Sequence, residues 1–125
     1  MIYKADQMTP EQDNDCIFCK IASGEVPSEL LYEDDDVVVF PDINPLTPVH
    51  LLVVTKKHIP SLAEMSDEDT PLIGKMIKAV KQVAAEQGIA EKGYRITINS
   101  GADAGQIVPH LHMHLMGGRH LDWKH

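Results

Sequence analysis

No stretch of this chain approaches the ~20 consecutive apolar residues that a membrane-spanning helix requires. The longest run free of Asp, Glu, Lys and Arg extends from Ala104 to Gly118, and histidines interrupt it. No segment is therefore expected to cross a bilayer, and no membrane partner is expected. Basic residues are scarce: 11 Lys and Arg stand against 19 Asp and Glu, a formal net charge of −8. Nucleic-acid binding depends on Lys and Arg displacing counterions from phosphates, so a polynucleotide partner is not expected. A small phosphorylated ligand stays compatible, because backbone amides and a few neutral donors can hold one phosphate. Cysteine is also scarce. Cys16 and Cys19 are the only two, too close in sequence to staple a fold. In a reducing compartment a C-x-x-C pair is more often a redox or metal pair than a structural disulfide.

What is present describes one globular domain. The chain has 125 residues, 43% apolar and 24% charged, enough for one core and too few for two. Residues 1–14 are polar, aperiodic and without the apolar h-region of a secretion signal. They read as a loose leader ahead of a domain over 15–125, and the protein is expected to be cytoplasmic.

Cys16 to Ala22 reads as a short helix ended by Gly24 and Pro27. Leu30–Glu33 and Val37–Phe40 read as strands, with the acidic run Glu33–Asp36 as a solvated hairpin tip. Asp42–Pro48 holds two prolines, with Pro41 just ahead of it, and is loop; His50–Thr55 is a strand. Leu72, Ile73, Met76, Ile77, Val80, Val83 and Ala84 recur at helical spacing, with Lys75, Lys78, Lys81 and Glu86 opposite. Thr70 and Pro71 suit the cap and first position of that helix, Ser66 with Asp69 offers an earlier start, and Gly88 suits its end. Tyr94–Asn99 alternates as a strand, and a glycine-rich loop, Gly101–Gly105, leads to a last strand over Pro109–Met116. Short connections predict a mainly antiparallel sheet with the long helix on one face, an α+β domain.

That last strand carries the chemistry. His110, His112 and His114 alternate with Leu111, Met113 and Leu115. Successive strand side chains face opposite ways, so the imidazoles share one face and the aliphatics enter the core. At ~3.3 Å per residue, neighbouring histidines stand ~7 Å apart and the outer two ~13 Å apart. One metal with ~2 Å bonds to nitrogen takes two neighbours at most, so the three are expected to do different work.

The run HLHMHLM resembles the motif of the histidine triad (HIT) family, and IFCKI, FPDINP, HLLVVTKKHI, GYRITIN and GGRHLDW extend the resemblance from about Asp15 to Trp123. The terminal GGRHLDW is similar to the branch of histidine triad nucleotide-binding proteins that hydrolyse adenosine phosphoramidates. The resemblance implies a homodimer with a five-stranded, mainly antiparallel sheet in each subunit, the two sheets joined across the interface. It implies that His112 attacks the α-phosphorus of an AMP-type substrate, its other nitrogen held by a backbone carbonyl of the triad strand. His114 would meet the phosphate with the Gly105 amide and Asn99 nearby. Ile17, Phe18, Ile21, Val26, Phe40 and Ile43 match the purine pocket, and Asp42 matches the ribose clamp. No catalytic metal is implied. After Gly105-Gln106 the family carries Ser or Thr, which helps the leaving group; here Ile107 has no hydroxyl, and Gln106, His50 or a water would have to replace it. Pro41 is a second departure, at a position commonly polar.

Some bacterial triad proteins and the related galactose-phosphate uridylyltransferases hold zinc beside the active site, and Cys16, Cys19, His50 and His110 resemble that ligand set. The expectation is structural zinc, against a pair of buried thiols; a thioredoxin-like role lacks its βαβ context. His58, His120 and His125 show no partner logic. Three further readings stay open: a dinucleotide polyphosphate hydrolase, a hydrolase using zinc on His112 and His114, and a nucleotide-binding module without turnover.

Overall fold

A computed structural model describes residues 15–123; the leader over 1–14 and His125 lie outside them. In chain order the elements are α1 (Ile17–Ala22), β1 (Tyr32–Glu33), β2 (Val37–Pro41), β3 (Val49–Thr55), α2 (Pro71–Glu86), β4 (Tyr94–Thr97) and β5 (His112–Gly117). The strands form one sheet in the order β1-β2-β3-β5-β4, and every neighbouring pair is antiparallel. The last strand therefore inserts between β3 and β4.

Alternation along these strands makes two apolar layers. Val37, Val39, Leu51, Val53, Leu111, Met113 and Leu115 pack under α2 with Met76, Ala79, Val80, Val83 and Ala84. Each Val, Leu or Met side chain among them contributes about 1.5–3 kcal/mol on leaving water. Val38, Phe40, Leu52 and Val54 face the other way and pack with Phe18, Cys19 and Ala22 of α1. The histidines of β5 share that second, thinner side. Among the described residues no helix is long and apolar enough to cross a membrane.

Local chemistry explains most boundaries. At the β1–β2 tip, Asp34 Oδ1 accepts from the N–H groups of Asp36 (2.7 Å) and Val37 (2.8 Å), and Tyr32 donates to its Oδ2. The acidic tip is thus held by an Asx turn and by Lys75–Asp36 and Lys56–Glu33 ion pairs. Thr70 stands at the head of α2 but caps nothing with its side chain, because its backbone is already helical. A 3₁₀ turn over Asp67–Asp69 runs straight into it, so both sequence-read starts are used. The last strand begins later than the motif suggests. Pro109 has no N–H to offer a ladder, and the His110 N–H turns back to the Val108 carbonyl, which leaves His110 outside the strand.

Candidate functional site

β5 sets the site because it is flanked on both sides. His112 faces Val54 and His114 faces Leu52 on β3, and His114 also faces Thr97 on β4. The two imidazoles lie 5.1 Å apart between ring centroids, inclined at 65°. The His112 ring is edge-on to Phe18 at 5.1 Å, and its Nδ1–H donates to the His110 main-chain carbonyl at 2.6 Å. A neutral imidazole carries one N–H, so Nε2 keeps its lone pair. The ring is therefore held in the tautomer of a nucleophile.

Beside it stands a relay. The Leu46 N–H donates to His50 Nδ1 at 3.0 Å, which leaves the His50 proton on Nε2. That Nε2–H lies 2.9 Å from His114 Nδ1 and 3.3 Å from Asp42 Oδ2. His114 Nδ1 then accepts, and its own proton stands on Nε2 as an outward donor. Burial pushes His50 below the ordinary histidine range against the pull of Asp42. Burial also pushes His114 down, aided by the neighbouring His112 and His50 and opposed by Asp42. Asp42 is fixed in turn, since its Oδ1 accepts from the Asn44 N–H at 2.8 Å. The three donor atoms lie close enough for a metal, but the Leu46 bond keeps a proton on His50 Nε2. The trio is a hydrogen-bond relay.

The metal-type cluster is elsewhere, with one ligand different from the sequence reading. Cys16, Cys19, His58 and His110 place one donor atom each within 4.8 Å of one another. His110 Nδ1 lies 3.1 Å from Cys16 Sγ and 3.5 Å from Cys19 Sγ, and His58 Nδ1 lies 3.3 Å from Cys19 Sγ and from His110 Nδ1. His50 does not join them. In the β3–β5 register His50 faces Met116 while Val54 faces His112, so His50 sits about six residues, ~20 Å along the strand, from the level of His110. His58 follows the other end of β3, beside His110. The register was the missing information; an antiparallel pairing of these two strands would have pointed to the HIP end of TKKHIP. His110 Nε2–H donates to the Thr55 carbonyl at 2.7 Å, so Nδ1 offers a lone pair to the cluster. Two sulfurs and two imidazole nitrogens at these separations fit a tetrahedral Cys₂His₂ site with ~2.0–2.3 Å bonds, and a carbonyl behind a ligating histidine is the usual support.

The remaining expected site residues divide by exposure. Phe18 and Phe40 are buried, edge to face at 5.6 Å. Ile21 and Val26 are half-buried, whereas Ile17, Ile43 and Ile107 are exposed, the last two at 91%. Apolar side chains left this open are available to a ligand. Asn99 is half-buried, two residues beyond the Thr97–His114 pair. The Gly105 N–H already donates to the Ala102 carbonyl at 3.0 Å, so meeting a phosphate requires it to exchange partners. The Gln106 side chain closes the loop: it accepts from the Gly101 N–H and donates to the carbonyls of Pro60 and Val108. Its amide is occupied, as are both ring nitrogens of His50, which favours water over either as the substitute for the missing hydroxyl.

Comparison with known proteins gives consistent matches. The family model described as HIT domain matches residues 23–121. Protein HitA of Neisseria gonorrhoeae is 47% identical over 104 residues, covering 83% of this chain and 96% of that one. A HIT family hydrolase from Clostridium thermocellum superposes with a TM-score of 0.88 at 44% identity, covering 90% of this chain and 98% of that one. A Zn-bound histidine triad family protein from Mycobacterium smegmatis superposes at a TM-score of 0.73 and 32% identity, covering 87% and 78%.

Proposed function

The chain belongs to the HIT domain family, and from that premise we propose that it is a purine nucleotide-binding hydrolase. Its substrates would be AMP phosphoramidates or related nucleoside monophosphate esters, cleaved through a nucleotidyl intermediate on His112. The observation that carries this reading is the 2.6 Å bond from His112 Nδ1–H to the His110 carbonyl. It leaves an in-place lone pair on Nε2.

In the first step His112 Nε2 bonds to the α-phosphorus as the bond to the leaving nitrogen or oxygen breaks, and a water gives the leaving group its proton, which the attacking water of the second step returns. Water then attacks the phosphorus, the Nε2–P bond breaks, and AMP leaves. The His114 Nε2–H is available to a non-bridging phosphate oxygen, with Asn99 and Gly105 as further donors; such preset donors suit a dispersed phosphoryl charge. Ile17, Phe18, Ile21, Val26, Phe40 and Ile43 would bracket the base. Asp42 would take the ribose hydroxyls with an oxygen not engaged by His50. Ile107 puts an alkyl group at the leaving-group side of the loop beside Gln106.

Cys16, Cys19, His58 and His110 would hold zinc, whose contribution there is structural; the Zn-bound M. smegmatis relative supports this. A homodimer is proposed through β4, an edge strand of the sheet. Sedimentation equilibrium at micromolar concentration is expected to return twice the chain mass, and a monomer at all concentrations would remove this part of the proposal.

The test of the activity is hydrolysis of adenosine 5′-phosphoramidate in metal-free buffer. The native protein should turn over and His112→Ala should lose roughly 10³-fold or more in kcat, as nucleophile removal does elsewhere. Tight AMP binding with no turnover would instead make the protein a nucleotide-binding module.

A further inference from the structure

We propose that the Cys16–Cys19–His58–His110 cluster is a positioning device for the nucleophile, so that its metal load sets the His112 ring and hence the rate. The proposal rests on the hydrolase reading above for its rate consequence and on geometry alone for its effect on the ring.

Two routes lead from the cluster to His112. The first is the His110 main chain. His110 lies just outside β5, and its side chain is fully buried and bound at both nitrogens. Nδ1 sits in the cluster, and Nε2–H donates to the Thr55 carbonyl at 2.7 Å. A ring clamped at both ends fixes the residue that carries it. That residue's carbonyl is the acceptor that keeps the proton on His112 Nδ1.

The second route is Phe18, which stands between the two cysteines and meets His112 edge-on, with ring planes at 87°. It also meets the His110 ring at 6.0 Å. Helix α1 has only six residues, far below the ~12–15 at which an isolated helix is even marginal. Its place is set by tertiary anchors, and Cys16 and Cys19 are among them. Cys16 also caps it, taking the Cys19 N–H on Sγ at 3.3 Å. Loosening the cysteines therefore loosens the wall of the nucleophile as well as the acceptor behind it. An imidazole that loses its Nδ1–H acceptor can move its proton to Nε2, and that tautomer has no lone pair for phosphorus.

The experiment uses the full chain, ¹⁵N-labelled, in four forms: zinc-loaded native, native stripped by chelator, Cys19→Ser, and Cys19→His, which keeps four donors. Long-range ¹H–¹⁵N correlations of the His112 ring, assigned by their absence in His112→Gln, report the tautomer without reference to activity. The loaded native chain should show the Nδ1–H form alone. Stripping and Cys19→Ser should each introduce the Nε2–H form. They should also lower kcat roughly 10- to 100-fold, the effect of losing an outer partner of a functional histidine, with KM within about twofold. Cys19→His should restore both readouts.

Identical His112 signals in loaded and stripped protein would overturn the proposal. So would collapse of the dispersed Met113 and Leu115 methyl signals on stripping, because the cluster would then be a staple of the whole fold. Should Cys19→Ser fail to fold, the stripped native chain decides. Absence of turnover in the loaded native chain would count against the hydrolase reading, while the ring signals would still decide the positioning role.

Discussion

His50 shows how one main-chain hydrogen bond assigns a role to a side chain. With Leu46 N–H on its Nδ1, it can only donate from Nε2, and His114 is the nearest acceptor. Replacing it by Gln removes the ring that sets the His114 tautomer without emptying the space. We expect kcat to fall about 10- to 100-fold, the range seen when an orienting partner is lost, with AMP affinity little changed. Steady-state kinetics together with calorimetric AMP binding check this split. A fall in affinity equal to the fall in kcat would make His50 a binding residue. Cys16 and Cys19 each lie against an imidazole nitrogen, an arrangement compatible with metal binding.

At the scale of elements, the end of β5 is a tight junction. Gly117 and Gly118 follow the histidines and pack on different neighbours. A Cβ at Gly118 would lie 2.8 Å from Pro48 Cβ, and its φ of +93° lies where L side chains are strained. A Cβ at Gly117 would meet the Ile89 side chain at 2.9 Å with no such φ. Gly118→Ala should therefore cost more than Gly117→Ala. The backbone strain alone contributes about 1–2 kcal/mol, and Pro48 belongs to the loop that carries Asp42 and Leu46. Urea midpoints with unchanged slopes would measure it. Equal midpoints for the two variants would show that the loop yields freely.

For the molecule as a whole, acid should weaken the fold in a definite window. His50 and His114 have folded pKa values below the ordinary 6.5. Above pH 6.5 they are neutral in both states and cost nothing. As pH falls through 6.5 the unfolded chain takes up protons that the folded chain refuses, so stability is lost toward the lowered folded values. Asp34 does not share this window. Burial pushes its carboxyl up, but bonds from Tyr32, Asp36 and Val37 and the charge of Lys56 outweigh that and hold it low. Its contribution is lost only below the ordinary carboxylate range. Urea unfolding at pH 7.5 and 5.5 should show a lower midpoint at 5.5. Chelator at both values keeps proton-linked metal release out of the comparison. A midpoint that does not move would mean that the two imidazoles are no harder to protonate in the fold.

Some of this was legible from residue order alone, because it depends on neighbours along the chain. Alternation placed His112 and His114 on one face and Met113 and Leu115 in the core. Helical spacing set out the buried face of α2, Met76, Val80 and Val83, and an acidic run read as a hairpin tip is one. The HLHMHLM motif with its companions led to the family. What depended on strand register was not legible. A seven-residue strand has two ends, and only the pairing of β3 with β5 decides which end meets His110. Hence His58, and not His50, joins the cysteines, and His50 falls to Asp42 and His114 at the opposite end. The packing of α1 on this side of the sheet likewise brings Phe18 against the His112 ring. Local sequence dictates which face a side chain takes; only the tertiary pairing of distant strands dictates its company.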